Sequence, residues 1–370
     1  MPSSRTRALL PLAAAALTGS TLLGPAALAA PDAAPRFPHV FVIDLENKGY
    51  DETWGAGSAA PYLSETLRPQ GQLLTDYYGI GHNSLVNYIA QISGQAPNLG
   101  TQSDCPLSVP FIGWGTADHG QAYGQGCVYP ASVPTVADQL TQAGLTWKSY
   151  DEGMAAPCTH PPLWAADPNT AASAGDEYAT RHNPFVYFTS ITSSPACAAD
   201  DVPLGELSAD LTSAASTAAL TFVSPDLCDD GHDAPCADGH PGGLASADAW
   251  LSTWVPRIMA SPAYRQDGLV IITFDESDNP AADSTACCGE QAGPNAALPG
   301  ILGPGGGRVG ALLLSPRVAP GSSDAAGYNH YSLLRTIEDD FGLAPLGFAD
   351  SATGFAAGAP AARAIPPARP

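Results

Sequence analysis

The chain has 370 residues, and its 14 basic residues against 36 acidic ones give a formal net charge of −22 at pH 7. This balance excludes a non-specific nucleic-acid binder, because phosphate contacts come from Lys and Arg. Hydrophobic residues make up 45% of the chain, which is enough apolar surface for a packed core and excludes wholesale disorder. The 38 Gly and 36 Pro predict many turns and long loops around that core.

The N-terminal segment has the pattern of an export signal. Arg5 and Arg7 precede a largely apolar run, and Ala27 to Ala29 has the small-x-small pattern that a signal peptidase recognises. We therefore predict a signal peptide over residues 1–29, a leader over residues 30–37, and a secreted, extracellular protein. A retained N-terminal anchor is the alternative. No later stretch reaches the roughly 18 apolar residues needed to span a bilayer, so no transmembrane segment is predicted.

Short apolar runs that stop abruptly at polar residues are typical of strands buried on both faces. The first is Val40 to Ile43, and the clearest is Leu269 to Phe274, which runs directly into acidic residues. Similar runs predict four further strands, at Leu73 to Tyr78, Leu145 to Tyr150, Leu220 to Val223 and Val309 to Leu314.

Helical patterns alternate with these strands. Three helices are predicted, and the first two are followed by glycine: Ser84 to Ser93, Pro134 to Ala143 and Ser332 to Phe341. Strands that alternate with helices indicate an α/β fold, with a mostly parallel central sheet and helices on both faces.

Long insertions that carry Gly, Pro and Cys separate the predicted elements, at residues 100–130, 151–200 and 275–308. No charge-rich or Ser/Gly linker divides the body. We therefore predict one domain over residues 38–354, followed by an Ala/Pro-rich tail over residues 355–370 that we expect to be disordered.

The eight cysteines are an even number in a chain predicted to be exported, which is typical of disulfides. In sequence order they fall into the pairs Cys105/Cys127, Cys158/Cys197, Cys228/Cys236 and Cys287/Cys288. A cysteine-rich metal site is the rival interpretation, but the chain contains no CxxC spacing. Disulfides at these positions would stabilise the long loops.

Polar side chains follow the two most apolar predicted strands. Glu46 and Asn47 come after the first, and Asp275 and Glu276 come after the clearest. Ligands of an open parallel sheet bind beyond the carboxyl ends of its strands, so these residues are candidates for a hard oxygen site of the kind that divalent metals prefer. One such pair alone would be interpreted as a cap of the strand or turn, whereas two pairs favour a site.

Ser84 begins a predicted helix directly after a Gly-bearing turn. A serine at this place is usually an N-cap. The backbone amides and the dipole of the helix also stabilise an anion here, so the hydroxyl could attack a phosphate. It would need a metal or a base to stabilise its alkoxide.

Five short motifs follow one another along the chain. They are Glu46-Asn47-Lys48-x-Tyr50-Asp51, His82-x-Ser84-x-x-Asn87-Tyr88, Ser224-Pro225-Asp226 to Gly231-His232-Asp233, Phe274-Asp275-Glu276, and Asn329-His330-Tyr331-Ser332 to Glu338. In these motifs the chain resembles the secreted bacterial phosphoesterase family that contains acid phosphatases, phosphoinositide phosphatases and phospholipases C. That family belongs to the alkaline-phosphatase superfamily, and the likeness spans roughly residues 38–345.

The resemblance implies an alkaline-phosphatase-like fold and a role for each matching residue. The implied metal ligands are Glu46, Asn47, Asp275 and Glu276. The implied nucleophile is Ser84, and the implied catalytic histidines are His232 and His330. The candidates for substrate binding are His82, Asn87 and Lys48. Two positions depart from the family pattern: Asn329 stands where Asp is usual, and Val86 where Pro commonly precedes the Asn.

The other five histidines are sorted by their position in the sequence. His240 shares a Cys-bearing loop with His232 and is a candidate for a supporting role. The remaining four lie outside the motifs and are assigned no role: His39, His119, His160 and His182.

The resemblance implies a metal-dependent phosphatase that hydrolyses phosphomonoesters, either small phosphoesters or phosphoinositides, through a phosphoserine. One divalent metal ion of unknown identity is expected, and a two-metal arrangement is the alternative. Without the two arginines of the predicted signal, 12 basic residues against 36 acidic ones leave a charge of −24. This charge favours small or neutral-bodied substrates over nucleic acids. The sequence does not fix the oligomeric state.

Two alternatives remain. One is a phospholipase C-type phosphodiesterase, which would need an apolar rim facing the membrane and is compatible with transient membrane contact. Candidates for that rim are Phe111, Trp114 and Trp164. The other is a non-catalytic secreted binding protein on a phosphatase scaffold, although the chain keeps Ser84 and all four proposed metal ligands.

Overall fold

The computed structural model describes Met1, residues 36–289 and residues 292–357. Apart from Met1, the predicted signal peptide lies outside the described residues, as do residues 358–370 of the predicted tail. The main hydrophobic core runs through the body from Phe37 to Ala357, and a second, smaller cluster includes Ile80, Tyr331 and Phe348.

The described residues form ten strands. They are β1 Val40–Leu45, β2 Gln72–Tyr78, β3 Ile112–Thr116, β4 Ala122–Gln125, β5 Trp147–Asp151, β6 Asp201–Pro203, β7 Leu220–Ser224, β8 Leu269–Phe274, β9 Ala311–Leu314 and β10 Ser322–Asn329. Strands β3 and β4 form a separate hairpin. The other eight form one sheet in the order β10-β2-β9-β8-β1-β7-β5-β6.

Nine α-helices lie among these strands in the same residues. They are α1 Tyr50–Trp54, α2 Ser84–Ser93, α3 Val136–Gln142, α4 Thr189–Thr192, α5 Pro195–Asp200, α6 Leu207–Asp210, α7 Gly243–Ala260, α8 Pro262–Arg265 and α9 His330–Phe341. Tyr62–Leu67 forms a π-helix, and several short 3₁₀ turns complete the body, among them Thr180–His182. None of the helices in residues 36–289 and 292–357 combines the length and apolarity needed to cross a membrane.

The sheet is parallel except at β9, which runs antiparallel to both of its neighbours, β2 and β8. Every residue of β1, β7, β8 and β9 is buried, so both faces of the central sheet are covered. Each buried Val, Leu, Ile or Phe side chain contributes roughly 1.5–3 kcal/mol relative to exposure, and this burial fixes the central strands in place. The predicted α/β fold with a mostly parallel sheet is confirmed.

The pairing of β1 with β8 brings the carboxyl ends of these two strands together at one edge of the sheet. The two strands are parallel neighbours, and Leu45 lies opposite Phe274 at their carboxyl ends. The residues that follow these two positions therefore leave the sheet side by side.

Two sizeable elements have no counterpart among the predicted ones. Strand β10 is rich in Ser, Ala and Gly and lies at the edge of the sheet with most of its residues partly or fully exposed, so it shows no apolar pattern. Helix α7 contains Pro256, which in a sequence normally marks the end of a helix.

The structure pairs the cysteines as predicted, in the disulfides Cys105–Cys127, Cys158–Cys197, Cys228–Cys236 and Cys287–Cys288. No cysteine is left free for a cysteine-rich metal site, and all eight lie in the described residues. The first disulfide ties the loop after α2 to the β3–β4 hairpin region.

The packed body extends slightly beyond the predicted boundary at residue 354. Phe355 and Ala357 are buried, and the Phe355 ring lies edge-on against Tyr77 and Tyr328. The first residues of the predicted tail therefore belong to the core.

Candidate active site

Four of the predicted site residues form one cluster at the carboxyl ends of β1 and β8. This strand-end cluster consists of Glu46, Asn47, Asp275 and Glu276. The backbone N–H of Asn47 donates to Asp275 Oδ1 at 3.3 Å, and Asn47 Nδ2 donates to Glu276 Oε1 at 3.0 Å. Asn47 has a left-handed backbone with φ 39°, a conformation that Asn tolerates better than most residues. The register of two buried strands thus brings these residues together.

Ser84 lies against the same cluster from helix α2. Its Oγ donates to Glu46 Oε2 at 2.7 Å, and the side chain is buried. The N-cap residue Asn83, at φ 71°, makes no side-chain capping bond to the helix. Asp104 instead accepts from the backbone N–H of Leu85, at 3.0 Å. The Ser84 hydroxyl is therefore directed at the cluster and not at its own helix.

A cleft of about 310 Å³ opens above Ser84. The residues that line it come from several loops and include Asn47, Ser84, Asp104, Asp167, Arg181, His232 and Glu276. Its size suits a small ligand group, and most of its lining residues are polar.

The carboxyl groups of the cluster are difficult to ionise together. Burial raises the pKa of Glu46, and the nearby charges of Asp275 and Asp230 raise it further. Burial likewise raises the pKa of Asp275 and that of Glu276. Removing water favours the neutral form of an acid, and each neighbouring carboxylate adds repulsion. A positive charge at this edge of the sheet would stabilise the ionised carboxylates.

The cluster offers free oxygen atoms of the chemical kind that divalent cations bind. Among the described residues, Asn47 Oδ1 and Asp275 Oδ2 are buried and accept no hydrogen bond, and Glu46 Oε1 accepts none either, although His182 Nε2 lies 3.2 Å from it. Buried polar atoms without partners are costly, and hard oxygens of this kind are what Mg²⁺ and Ca²⁺ bind. The position of Glu276 is different, because Asn47 Nδ2 engages one of its oxygens and the His82 ring contacts the other.

His232 lies at the mouth of the cleft with a side chain that is 45% exposed. Its Nδ1 lies 2.7 Å from Asp233 Oδ1, and its backbone N–H donates to Asp230 Oδ1 at 2.8 Å. The preceding Gly231 has φ 112°, and a Cβ there would come within 3.0 Å of the Glu46 carbonyl oxygen. Because Nδ1 is engaged by Asp233, Nε2 is the nitrogen that a ligand can reach.

His182 belongs to the site, although the sequence assigned it no role. It is buried, its ring stacks on Tyr88 at 5.3 Å, and its Nε2 lies 3.2 Å from Glu46 Oε1. Its Nδ1 lies 3.5 Å from Asp230 Oδ2. Burial, together with the charge of Arg181, lowers the pKa of His182 well below its usual value, which favours the neutral ring. No local signal marks this histidine, because its partners are distant along the chain.

His330 was predicted to be catalytic, but the structure does not bring it to the cleft. Its Nδ1 accepts from the Tyr77 hydroxyl at 2.8 Å, and its Nε2 donates to the Asp275 carbonyl oxygen at 2.6 Å. Complete burial lowers the pKa of His330 to about 4. With both ring nitrogens engaged by the protein, His330 holds the backbone of Asp275 and has no atom left for a substrate.

Two predicted substrate-binding residues shape the turn before Ser84. Asn87 is buried, and its Oδ1 accepts from the backbone N–H groups of Ile80 and Gly81, at 2.8 and 3.0 Å. His82 contacts Glu276 through Nδ1, and its Nε2 donates to the Asp283 carbonyl oxygen at 2.8 Å. Neither side chain is among those that line the cleft.

Lys48, the third predicted substrate-binding residue, lies outside the cleft. Its Nζ is 3.4 Å from Asp278 Oδ1 and 3.9 Å from Glu52 Oε1. The cationic side chain that does line the cleft is Arg181, in the 3₁₀ turn before His182. No sequence motif marks Arg181, because it lies in one of the long insertions between the predicted elements.

The fold and the edge of the sheet define the class of protein: an open α/β protein whose ligand site lies beyond the carboxyl ends of the central strands. Within that class, a protein-family model described as the Phosphoesterase family matches residues 57–344. The match covers more than half of the chain, which therefore belongs to the Phosphoesterase family. The resemblance inferred from the five motifs is confirmed.

Relatives with assigned names agree with this family. An acid phosphatase of Aspergillus fumigatus is 24% identical over 311 residues, which cover 84% of this chain and 56% of the relative. A phosphatidylinositol-3-phosphatase of Mycobacterium tuberculosis is 24% identical over 323 residues, which cover 87% and 83%. The chain thus spans little more than half the length of the fungal acid phosphatase. The predicted class, a hydrolase of phosphoric ester bonds, agrees with these names.

Solved structures resemble the fold at low sequence identity. The crystal structure of Ps i-CgsB aligns with a TM-score of 0.50 and 12% identity, over 86% of this chain and 74% of that one. A protein in the alkaline phosphatase superfamily from Vibrio parahaemolyticus aligns with a TM-score of 0.47 and 14% identity, over 85% and 68%.

Proposed function

We propose that this protein hydrolyses phosphomonoesters in the cleft, through a phosphoserine formed on Ser84. The observation that carries the proposal is the 2.7 Å hydrogen bond from Ser84 Oγ to Glu46 Oε2 at the start of helix α2. It joins a hydroxyl nucleophile to a proton acceptor at a helix N-terminus, where a phosphate is favoured. The family and the named relatives support this class of reaction.

In the first half of the reaction, Ser84 Oγ attacks the phosphorus and the bond from phosphorus to the leaving oxygen breaks. The hydroxyl proton moves along the existing hydrogen bond to Glu46 Oε2. His232 Nε2, when protonated, gives its proton to the leaving alkoxide. The products are the alcohol and the phosphoserine.

In the second half, water attacks the phosphorus and the bond to Ser84 Oγ breaks. His232 Nε2, now neutral, takes a proton from the water, and Glu46 returns its proton to Ser84. Inorganic phosphate leaves, and both residues are back in their starting forms. His232 suits this role because it reaches the cleft while Asp233 engages its other nitrogen.

Glu46, Asn47 and Asp275 would hold a divalent cation through their free oxygens, with Glu276 as the fourth residue of the cluster. Such an ion supplies Lewis-acid stabilisation of the Ser84 alkoxide and of the phosphate charge. The net charge of −22 would repel polyanionic substrates, which favours small or neutral-bodied phosphoesters.

The test is a panel of phosphomonoesters, phosphodiesters and phosphoinositides, assayed with each divalent cation in turn. Ser84→Ala should lower kcat by about three orders of magnitude or more, because the nucleophile is lost. Ser93→Ala is a matched control, since it makes the same change in a buried serine at the far end of α2. Mass spectrometry of acid-quenched wild-type protein should find one phosphoryl group on the peptide that contains Ser84.

Activity of Ser84→Ala close to that of the wild type would remove Ser84 from this role. Absence of turnover with every ester and cation would instead favour the non-catalytic binding protein. If the wild type prefers diesters, the second candidate below takes the place of the monoesterase.

A phospholipase C-type diesterase is the second candidate, and exposed apolar side chains beside the cleft favour it. Leu107 and Trp164 are 44% and 64% exposed, and the Trp164 backbone N–H donates to the Ser108 carbonyl oxygen at 2.5 Å. Their neighbours Pro106 and Asp167 line the cleft. This candidate predicts faster turnover of a diester in lipid vesicles than of the same diester in solution.

The aromatic rim proposed from the sequence is only partly available. Trp114 is 63% exposed on the β3–β4 hairpin and packs edge-on against Tyr123. Phe111 is buried and stacks on Tyr129 at 4.7 Å, so it belongs to the core and faces no membrane.

We also propose that the protein acts outside the cell. Its four disulfides support this proposal, because disulfides persist in oxidising compartments. The N-terminal residue of protein collected from the culture medium would test it, since cleavage is expected near residue 30.

A further inference from the structure

One arginine lines a cleft whose other charged lining residues are acids or a histidine. The Arg181 side chain is 13% exposed. It belongs to the 3₁₀ turn Thr180–His182 and lines the cleft. The acids of the lining are Asp104, Asp167 and Glu276. Among the described residues that line the cleft, Arg181 is the one Lys or Arg.

The guanidinium of Arg181 is only lightly engaged by the protein. In the described part of the chain its side chain donates one hydrogen bond, from Nη1 to the Thr170 carbonyl oxygen at 3.0 Å. Its Nε lies 4.0 Å from Asp104 Oδ2, which is too long for a hydrogen bond. A guanidinium has five N–H donors, so most of them remain free for a ligand.

A nearly buried charge without a close partner needs a reason. Such a charge is costly unless it is paired and hydrogen-bonded. The charges of Glu46, Asp104 and Asp230 all act on Arg181, yet no side-chain hydrogen bond to any of these carboxylates accompanies them in the described residues. Burial opposes the charged form of Arg181, but these charges outweigh burial and raise its pKa, while most of its N–H donors stay free of protein partners.

We propose that Arg181 binds the phosphoryl oxygens of the substrate and makes the cleft prefer a phosphomonoester dianion to a phosphodiester monoanion. This inference rests on the proposed function and names the substrate class of the same cleft. Two parallel N–H groups of a guanidinium match two oxygens of a phosphate. A monoester offers three non-bridging oxygens and two charges, whereas a diester offers two oxygens and one charge.

Arg181 lies beside the groups that act on the phosphorus. Both Arg181 and Ser84 line the cleft, and Arg181 precedes His182, whose ring lies 3.2 Å from the carboxylate that accepts the Ser84 hydrogen bond. His232 lines the same cleft. Arg181 itself forms and breaks no covalent bond, because it stays protonated and only donates hydrogen bonds.

The experiment compares two substrates with one leaving group, para-nitrophenyl phosphate and methyl para-nitrophenyl phosphate, at a pH where the monoester is a dianion. Arg181→Gln should lower kcat/KM for the monoester by about 10²-fold to 10³-fold, and that for the diester by less than about 5-fold. Arg181→Lys should show an intermediate loss in kcat/KM for the monoester, because it keeps the positive charge but loses the two parallel N–H donors of the guanidinium.

Arg317→Gln is the matched control. Arg317 forms an exposed ion pair with Asp267 at 2.6 Å and does not line the cleft, so this variant loses the same charge with no effect on either ester. A thermal melt of each variant checks folding, since Arg181→Gln also loses the bond to the Thr170 carbonyl.

A second arm needs no turnover. Inorganic phosphate is titrated calorimetrically into Ser84→Ala and into the double variant Ser84→Ala/Arg181→Gln, and the double variant should bind phosphate at least about 10-fold more weakly. The role of Arg181 would be overturned if Arg181→Gln lost the same factor in kcat/KM for both esters, or lost less than about 5-fold for the monoester. It would also be overturned if the double variant bound phosphate as tightly as Ser84→Ala. A wild type that hydrolyses neither ester would overturn the proposed function instead, and the phosphate titration would still test Arg181.

Discussion

Three buried histidines contact the strand-end cluster without lining the cleft. His82, His182 and His330 each contact a different member of it. The short motifs give the chain positions of two of these residues but not the direction of their rings. Ring direction depends on partners such as Tyr77 and Asp283, which come from other parts of the chain. The motifs therefore predict that histidines accompany the site, but of the three histidines in the motifs only His232 lines the cleft.

The strand-end cluster itself could be predicted, because it depends on one simple relation. Two fully buried parallel strands must end at the same edge of the sheet, so the polar residues after them meet. The position of Arg181 could not be predicted in this way, because Arg181 does not follow a buried strand. Its place in the cleft depends on how a long insertion folds back over the site.

His232 offers a sharp test at the scale of one residue. His232→Asn should lower kcat/KM for an alkyl phosphate such as glycerol phosphate by about two to four orders of magnitude, because an alkoxide needs a proton to leave. The loss with para-nitrophenyl phosphate should be much smaller, since that leaving group departs as an anion. Steady-state kinetics with the two substrates measure the difference.

His240→Asn serves as the control for this variant. His240 lies in the same disulfide-bearing loop, but its side chain is 73% exposed and it does not line the cleft. Its activity should match the wild type with both esters. If His232→Asn lost the same factor with both leaving groups, His232 would be a phosphate ligand and not a proton donor.

At the scale of elements, prediction succeeded where burial on two faces dictates composition. β8 occupies the predicted residues and α2 does the same, because continuous apolar runs and a closing glycine leave few other solutions. β10 escaped prediction because an edge strand need not be apolar, and α7 because Pro256 is tolerated in its interior. Local sequence therefore predicts the centre of the sheet better than its edge.

The edge pair β5 and β6 carries a second group of buried acids. Asp151 and Asp201 lie diagonally across the β5–β6 pair, since Asp201 is opposite Ser149 and Asp151 is opposite Pro203. Asp201 Oδ1 accepts from Asn183 Nδ2 at 2.8 Å. Burial raises the pKa of Asp201 to about 7. Burial, followed by the charge of Asp201, raises the pKa of Asp151 well above its usual value.

These shifts predict that the pair destabilises the fold as pH rises. The pKa of Asp201 is higher in the folded state than in the unfolded state, where it is about 3.9. Asp201 therefore stabilises the fold fully below about pH 3.9, and this stabilisation is lost as pH rises through about 7. Asp201→Asn removes one ionisable group, so its melting temperature should fall less between pH 4 and pH 7.5 than that of the wild type. Differential scanning calorimetry across this range measures the two slopes.

Asp51→Asn is the control, because it makes the same chemical change at an exposed carboxyl in α1 and should leave the slope unaltered. Each pKa unit corresponds to about 1.4 kcal/mol, so the difference in unfolding free energy should reach a few kcal/mol. Parallel curves for Asp201→Asn and the wild type would show that the Asp151–Asp201 pair does not titrate in this range.

At the scale of the whole molecule, the acidic balance and the acidic site pose one electrostatic problem. A chain of net charge −22 concentrates three buried carboxyls in the strand-end cluster and adds Asp230 beside them. Among the described residues that line the cleft, Arg181 and His232 are the available compensating groups. A bound cation would relieve the remaining repulsion and would therefore affect folding as well as activity.

Cation removal should therefore lower both activity and the stability of the whole protein. Prolonged chelation should abolish phosphatase turnover and lower the melting temperature, and adding back a divalent ion should restore both. A cation at 100 times its Kd contributes about 2.7 kcal/mol to the free energy of unfolding, which corresponds to several degrees. Asp275→Asn should melt at nearly the same temperature with and without the ion, whereas Asp51→Asn should respond like the wild type. If chelation left the activity and the melting temperature of the wild type unchanged, the free oxygens of Asn47 and Asp275 would hold no metal, and the reaction would depend on Ser84, Glu46, Arg181 and His232 without a cation.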